Sequence, residues 1–296
     1  MSSPKAEIIQ MIYDSLWDSR ANRLSRSVVT LDDVARAIRK WNSQNPASPR
    51  PPSDRNPANF FKDFTRRLAG ANAVWPRNLF DKRITARQVT GKGNCFEFIP
   101  FKEGQTEAFP VSVPPPSAAT PRHDITSAVL PVASRNFGRA DEPWLLQVAV
   151  RLRIIESHLS LFSVRKERIR QVDHLQNSVK LNQTEIDAVF LALEEGESGS
   201  LRELLITCEA KRENEDLNME QLMQQPRAAF RLKSVKQDVV IPMAIKTVGA
   251  SQIHVIEFAE IMRADIEKTE ALTISSDSLF TLKPSVPGIG KNTSKA

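Results

Sequence analysis

The sequence predicts an α/β (α+β) protein of two domains, and three observations carry that reading. Residues 1–102 show three helical stripes followed by one hairpin signal. Residues 103–138 are rich in Pro, Ser and Ala and hold no sustained period, as a linker would. Residues 139–282 alternate differently, as helix, strand, strand, helix, strand, strand. A chain of 296 residues is long enough for two domains with a substantial core. The tail, 283–296 ("KPSVPGIGKNTSKA"), is expected to be disordered.

In the front domain the first helix spans about Lys5 to Ser19, with Ile8, Ile9, Ile12 and Leu16 on one face. The second starts at "TLDDVARAIRKW". Thr30 is a good N-cap, Asp32 and Asp33 suit the first turn, and Leu31, Val34, Ala35 and Ile38 form the stripe. The third starts near Asn56-Pro57 and turns Phe60, Phe61, Phe64 and Leu68 inward, with Lys62, Arg66 and Arg67 outward. The turn "TGKGN" then joins two strand-like runs, Ile84–Val89 and one containing Phe96 and Phe98. Three helices and a basic hairpin resemble a winged-helix domain. That resemblance puts Asn59, Lys62, Asp63, Arg66 and Arg67 towards a DNA groove. It makes Lys82, Arg83, Arg87 and Lys92 phosphate contacts on the wing.

Charge divides along the chain. Residues 1–102 carry 18 Lys/Arg against 9 Asp/Glu, whereas the remainder carries 23 against 26. A basic front fits a polyanionic partner, because neutralised phosphates release counterions. No apolar run approaches the roughly 20 residues of a membrane span, and "MSSPKAEIIQ" lacks the layout of a secretion signal. Two distant cysteines, Cys95 and Cys208, suggest neither a disulfide framework nor a zinc site. The four histidines show no ligand spacing. No membrane partner and a reducing cytoplasm, in a prokaryotic cell, are expected.

The rear domain opens with a helix, "EPWLLQVAVRLRIIESHLSLF", burying Leu145, Val148, Leu152 and Ile155. Two strands follow, joined by an acidic turn at Glu194–Ser200. Period two puts Glu185 and Asp187 on one face of the first strand, and Glu209 and Lys211 on one face of the second. Pairing brings Asp187 near Glu209–Lys211. Two carboxylates at one spot repel unless neutralised. A hard divalent cation does this well, since Mg²⁺ prefers carboxylate oxygens and keeps several waters. A lysine beside it can hold or deprotonate an attacking water, a combination suited to phosphodiester hydrolysis. After a helix near Gln221–Phe230, "DVVIPMAIKTVG" and "QIHVIEFAEI" supply two more strands.

Asp187 followed 22 residues later by Glu209-Ala210-Lys211 resembles the PD-(D/E)XK nuclease superfamily, which includes many restriction endonucleases. The resemblance covers roughly residues 140–265. It implies a restriction-endonuclease-like mixed β-sheet flanked by helices. Asp187, Glu209 and the carbonyl of Ala210 would be metal ligands, and Lys211 would position or activate the water. Members often carry a glutamate on the preceding helix, where Glu156 stands, and a glutamine on the following one, where Gln221, Gln224 and Gln225 stand. Glu185 rivals Glu156 as the accessory acid. No proline precedes Asp187; the pair there is Glu185-Ile186.

The resulting expectation is a Mg²⁺-dependent endonuclease (Mn²⁺ able to substitute) acting on double-stranded DNA, a type II restriction enzyme. It would be a homodimer at least on DNA, because cutting both strands usually needs two active sites. Two alternatives stand beside it. One cuts only modified DNA; the other is a non-catalytic DNA-binding regulator.

Overall fold

A computed structural model describes residues 3–89, 91–110, 113–181, 184–196, 199–269 and 271–290. It is a mixed α/β protein of two units, residues 1–111 and 112–296.

In the first unit, α1 (Pro4–Leu16) begins where the Ser3 hydroxyl accepts the Ala6 N–H, and it buries Ile8, Ile9, Ile12 and Leu16. A two-residue ribbon follows, β1 (Trp17–Asp18) paired with β2 (Arg23–Leu24). Strand β3 (Val28–Thr30) runs directly into α2 (Leu31–Gln44), where Thr30 and Asp33 form a reciprocal capping box. Then come α3 (Asn59–Phe64), α4 (Leu68–Val74), α5 (Arg77–Asp81), β4 (Ile84–Gln88) and β5 (Asn94–Pro100). The sheet order is β3-β5-β4, antiparallel throughout. The turn between β4 and β5 falls at the expected place; its Thr90 lies outside the described residues.

The third helix is shorter than its apolar stripe suggests. It ends at Phe64, and Arg67 is extended before α4 begins. The Thr65 hydroxyl donates back to the Phe61 carbonyl, closing the turn. The break lets Phe61 stack on Phe96 at 4.7 Å and brings Phe64 within 6.0 Å of Trp75.

In the second unit, β6 (Arg122–Thr126), α6 (Val132–Asn136), α7 (Glu142–Arg151) and α8 (Ile154–Leu161) precede three long strands. These are β7 (Ile169–Leu181), β8 (Thr184–Glu195) and β9 (Leu201–Lys211). Helix α9 (Met219–Arg231) leads to β10 (Val239–Thr247), β11 (Gln252–Phe258), β12 (Ile261–Met262) and β13 (Ile274–Lys283). One mixed sheet results, ordered β6-β13-β11-β10-β9-β8-β7, with β12 against β10. Strands β8 and β9 form the expected antiparallel hairpin, and β10 returns parallel to β9 after α9. One face packs Leu145, Val148 and Ile155 of the first helices on Phe190, Ile206 and Phe280. The other face buries Leu222 of α9 against Ala244, Ile256 and Phe258.

Several expectations need correction. The stretch 103–138 is not a tether. Ala108 and Phe109 join the first core, where the Asn72 side chain holds both the N–H and the C=O of Phe109. Further on, β6 pairs parallel with β13, and Leu130 is buried in the second core. The tail is ordered at least to Gly290: Val286 and Ile289 are fully buried, and the Pro287 carbonyl accepts the Trp144 indole N–H at 2.8 Å. Residues 291–296 lie outside the described residues. The single helix expected from Glu142 to Phe162 is two, broken at Leu152-Arg153, where Arg153 adopts φ 53°. Strand β7 was not anticipated at all.

Candidate active site

The site grows from adjacent strands. Residues 188–195 of β8 pair with residues 201–208 of β9, so the chain ends beyond Ala188 and Cys208 lie side by side. There the Ala210 N–H donates to Asp187 Oδ2 at 2.8 Å. Glu209 and Lys211 sit two residues apart on β9, and the Lys211 ammonium reaches Glu209 Oε1 at 2.6 Å and the Ala210 carbonyl at 3.1 Å. On α9, Asn218 caps the first turn by accepting the N–H groups of Glu220 and Gln221. Gln221 and Gln225, one helical turn apart, both donate to Glu209: to Oε1 at 2.6 Å and to Oε2 at 2.6 Å.

The further acid that reaches this cluster is Glu142, which is not among the residues the sequence singles out. It opens α7 behind the Asp141 cap, and its Oε1 accepts the Lys211 ammonium at 3.0 Å. A glutamate in the first turn of a helix reads as a favourable helix-end charge, so nothing local in the sequence distinguished it. Only the fold brings position 142 to position 211. Glu156 does not join the cluster. It lies on α8, and the charges that reach it are Arg153, His174 and Asp173; its Oε2 is buried with no hydrogen-bond partner. The break at Arg153 carries α8 away from the line of α7, so Glu156 takes a different position from the one a continuous helix would give it. Glu185 is exposed and influences Asp187 through charge alone. Gln224 turns from Glu209 and donates to Glu220.

The electrostatics are one-sided. Three carboxylates, Asp187, Glu209 and Glu142, surround one ammonium. Glu209 is 1 % exposed. Burial pushes its carboxyl up to about 7, despite Lys211, and Asp187 adds to the rise. Burial also raises Asp187, against the hydrogen bond from Ala210 and the charge of Lys211. Burial opposes the charge on Lys211, but Glu209 and Glu142 outweigh it and hold the amine above its ordinary value. Lys211 is therefore an ammonium. Its charge is shared among more acids than it can neutralise.

No known family model, and no curated protein or solved structure, matches this chain. Among the described residues, no group of three or more His, Cys, Asp or Glu is already arranged to hold a metal ion. The donor chemistry nevertheless suits a hard cation. Glu209 Oε1, Glu142 Oε1 and the Ala210 carbonyl oxygen already converge on a positive group, the Lys211 ammonium, and Asp187 is the next carboxylate along.

The front-domain candidates divide into two sets. Asn59, Lys62 and Asp63 lie on α3, Arg66 and Arg67 in the break that follows, and all five are exposed. Asp63 faces Lys5 at 3.8 Å, so this surface is not uniformly basic. Lys92 stands in the β4–β5 turn at φ 52°, and Arg87 pairs with Glu97 across the hairpin at 2.8 Å. Lys82 and Arg83 are not on the β4–β5 turn, where the wing was expected. They precede β4, at the end of the strand away from the turn. Lys82 sits 4.5 Å over the Trp17 ring, and Arg83 5.0 Å over Phe101. Cation–π contacts to half-buried aromatics at the edge of the first core hold both.

Proposed function

We propose that this protein is a metal-dependent endonuclease of double-stranded DNA, of the restriction type, with the second unit as its nuclease domain. One observation supports this above the rest. Asp187, 22 residues before Glu209 in the chain, accepts the N–H of Ala210, the residue between Glu209 and Lys211, and Lys211 bonds Glu209 directly, all at one end of a β-hairpin. Strand, strand, helix, strand, strand, with β10 parallel to β9, agrees with the PD-(D/E)XK reading.

In this reading each residue has a separate task. Gln221 and Gln225 fix the Glu209 rotamer from α9, and the Ala210 N–H fixes that of Asp187. Glu142 draws the Lys211 ammonium to the rim, where it can hold a water and a phosphate oxygen at once. Mg²⁺ or Mn²⁺, held by Asp187, Glu209 and the Ala210 carbonyl, would lower the pKa of a bound water and stabilise charge on the phosphate. The basic first unit would hold the duplex, with Lys62, Arg66, Arg67 and Lys92 supplying phosphate contacts. Homodimers on DNA follow from the need to cut two strands.

The test is direct. Purified protein is incubated with plasmid or phage DNA and Mg²⁺, with and without EDTA, and the products are run on a gel. Discrete fragments that EDTA abolishes are expected. Cutting only of methylated plasmid would move the reading to a modification-dependent enzyme. A mobility shift with no cutting in any divalent cation would leave a DNA-binding regulator instead.

A further inference from the structure

The first unit holds a cavity of about 430 Å³ between α1, α2 and the loop before β3. It lies apart from the groove-side set on α3. Its apolar wall is Met11, Leu16 and Ala37; its polar wall is Arg26, Arg36 and Lys40, around Asp33. Asp33 is 7 % exposed and accepts from both arginines at 2.6 Å, on different carboxylate oxygens. Arg26 is also tied to the Val28 carbonyl. The two guanidinium groups are thus anchored from behind, at 40 % and 68 % side-chain exposure, and Lys40 adds a third positive charge one turn after Arg36. Three cations and one acid line a single hollow, a net charge of +2.

We propose that this cavity is a nucleotide-phosphate site: Arg26, Arg36 and Lys40 take the phosphate, and the Met11–Leu16–Ala37 wall takes the attached sugar and base. Three points support that ligand, the last of them against a bare anion. Arginine forks match phosphate geometry, and a carboxylate that pre-sets them removes the ordering cost of binding. The volume falls within the range of roughly 300–1,000 Å³ typical of small-molecule pockets. The apolar wall beside the charges gives an organic group somewhere to sit, which inorganic phosphate would not use. The phosphate ester could be a free nucleotide or part of a DNA strand, and the chemistry is the same.

The full-length protein is titrated by calorimetry in EDTA, so that no cleavage occurs, with dAMP, inorganic phosphate and a short duplex. Two variants are compared with the parent: Arg36→Gln with Lys40→Gln, which removes exposed charge, and Ala37→Leu, which fills the cavity and keeps the charge. Binding of dAMP, tighter than phosphate and weakened about tenfold or more by both variants, is the expected result. Loss of duplex affinity in both variants without dAMP binding assigns the site to a strand phosphate and equally supports the proposal. Weakening by the charge variant alone means a general field effect and overturns it, as does unchanged binding of every ligand. Because no metal or cutting is involved, the dAMP and phosphate titrations are independent of the nuclease reading, and the duplex titration shares with it only the placing of DNA on the first unit.

Discussion

Two buried carboxylates, Asp33 in the first unit and Glu209 in the second, are treated in opposite ways. Asp33 is pushed up by burial but is brought down to about 2 by the bonds from Arg26, Thr30 and Arg36. Glu209 is raised to about 7, because burial and Asp187 outweigh a lysine it shares with Glu142. The difference lies in the donors. Asp33 meets two arginines of its own, whereas Glu209 meets two neutral amides and one divided ammonium. A carboxylate neutralised in this way ties elements together; here Asp33 joins the β3 approach to α2. A carboxylate left short of positive charge raises the energy of the apo fold, and a cation would relieve it. Placing an acid so is sensible where something positive is meant to bind.

The largest expected effect breaks the second site. Lys211→Ala or Asp187→Ala should lower cleavage by roughly 10²–10³-fold or more while duplex binding stays largely intact, read by gel and by mobility shift. Glu142→Ala should resemble them, because Lys211 would lose its outer partner. Next, Asp33→Asn should destabilise the first unit by roughly 2 kcal/mol through the lost ion pairs and cap, whereas Glu209→Gln should not destabilise the second at pH 8. Denaturant melts of both variants measure this directly. A large loss from Glu209→Gln would end the contrast.

The pH windows should also be opposed. Asp33 is lowered from its ordinary 3.8, so its stabilisation is present above that value and is lost as pH falls towards 2. Glu209 is raised from 4.5, so the fold is favoured below that value and loses stability as pH rises to about 7. Asp33→Asn and Glu209→Gln, each melted beside the parent across pH 3–8, should differ from it in opposite windows: the Asp33 contribution fades on the acid side, and the Glu209 penalty appears towards neutral pH. Isolated residues 1–111 should bind duplex with a steep salt dependence; binding indifferent to salt would move recognition to the second unit. The smallest effect is at Glu156: Glu156→Gln should cut within about twofold of the parent, since Glu142 and not Glu156 bonds Lys211. A loss as deep as that of Lys211→Ala would restore Glu156 to the site.

What could be read from the sequence follows the range of the interactions. Helices α1 and α2, the two hairpins and the Asp187–Glu209–Lys211 grouping were legible, because period and cap chemistry act over a few residues. Gln221 and Gln225 were legible as a one-turn pair, although not their shared partner. Glu142 was not, since its link to Lys211 spans 69 residues and its local signature is that of any helix start. Strand β7 hid because it is an edge, largely exposed and twice bulged, which erases the period of two. The stretch 103–138 looked like a tether because proline marks an edge strand as readily as a linker. Composition there reports missing hydrogen-bond donors, not missing packing, and Phe109 and Leu130 are the anchors it concealed.

The claim that the Glu209 cluster lacks positive charge can be tested without DNA or catalysis. The thermal midpoint of the second unit is measured at pH 8 in EDTA and in Mg²⁺, for the parent and for Glu209→Gln. Mg²⁺ should raise the parent's midpoint, and the variant should melt at or above the parent in EDTA and gain little from the cation. An equal response of both proteins to Mg²⁺, or none from either, would contradict it.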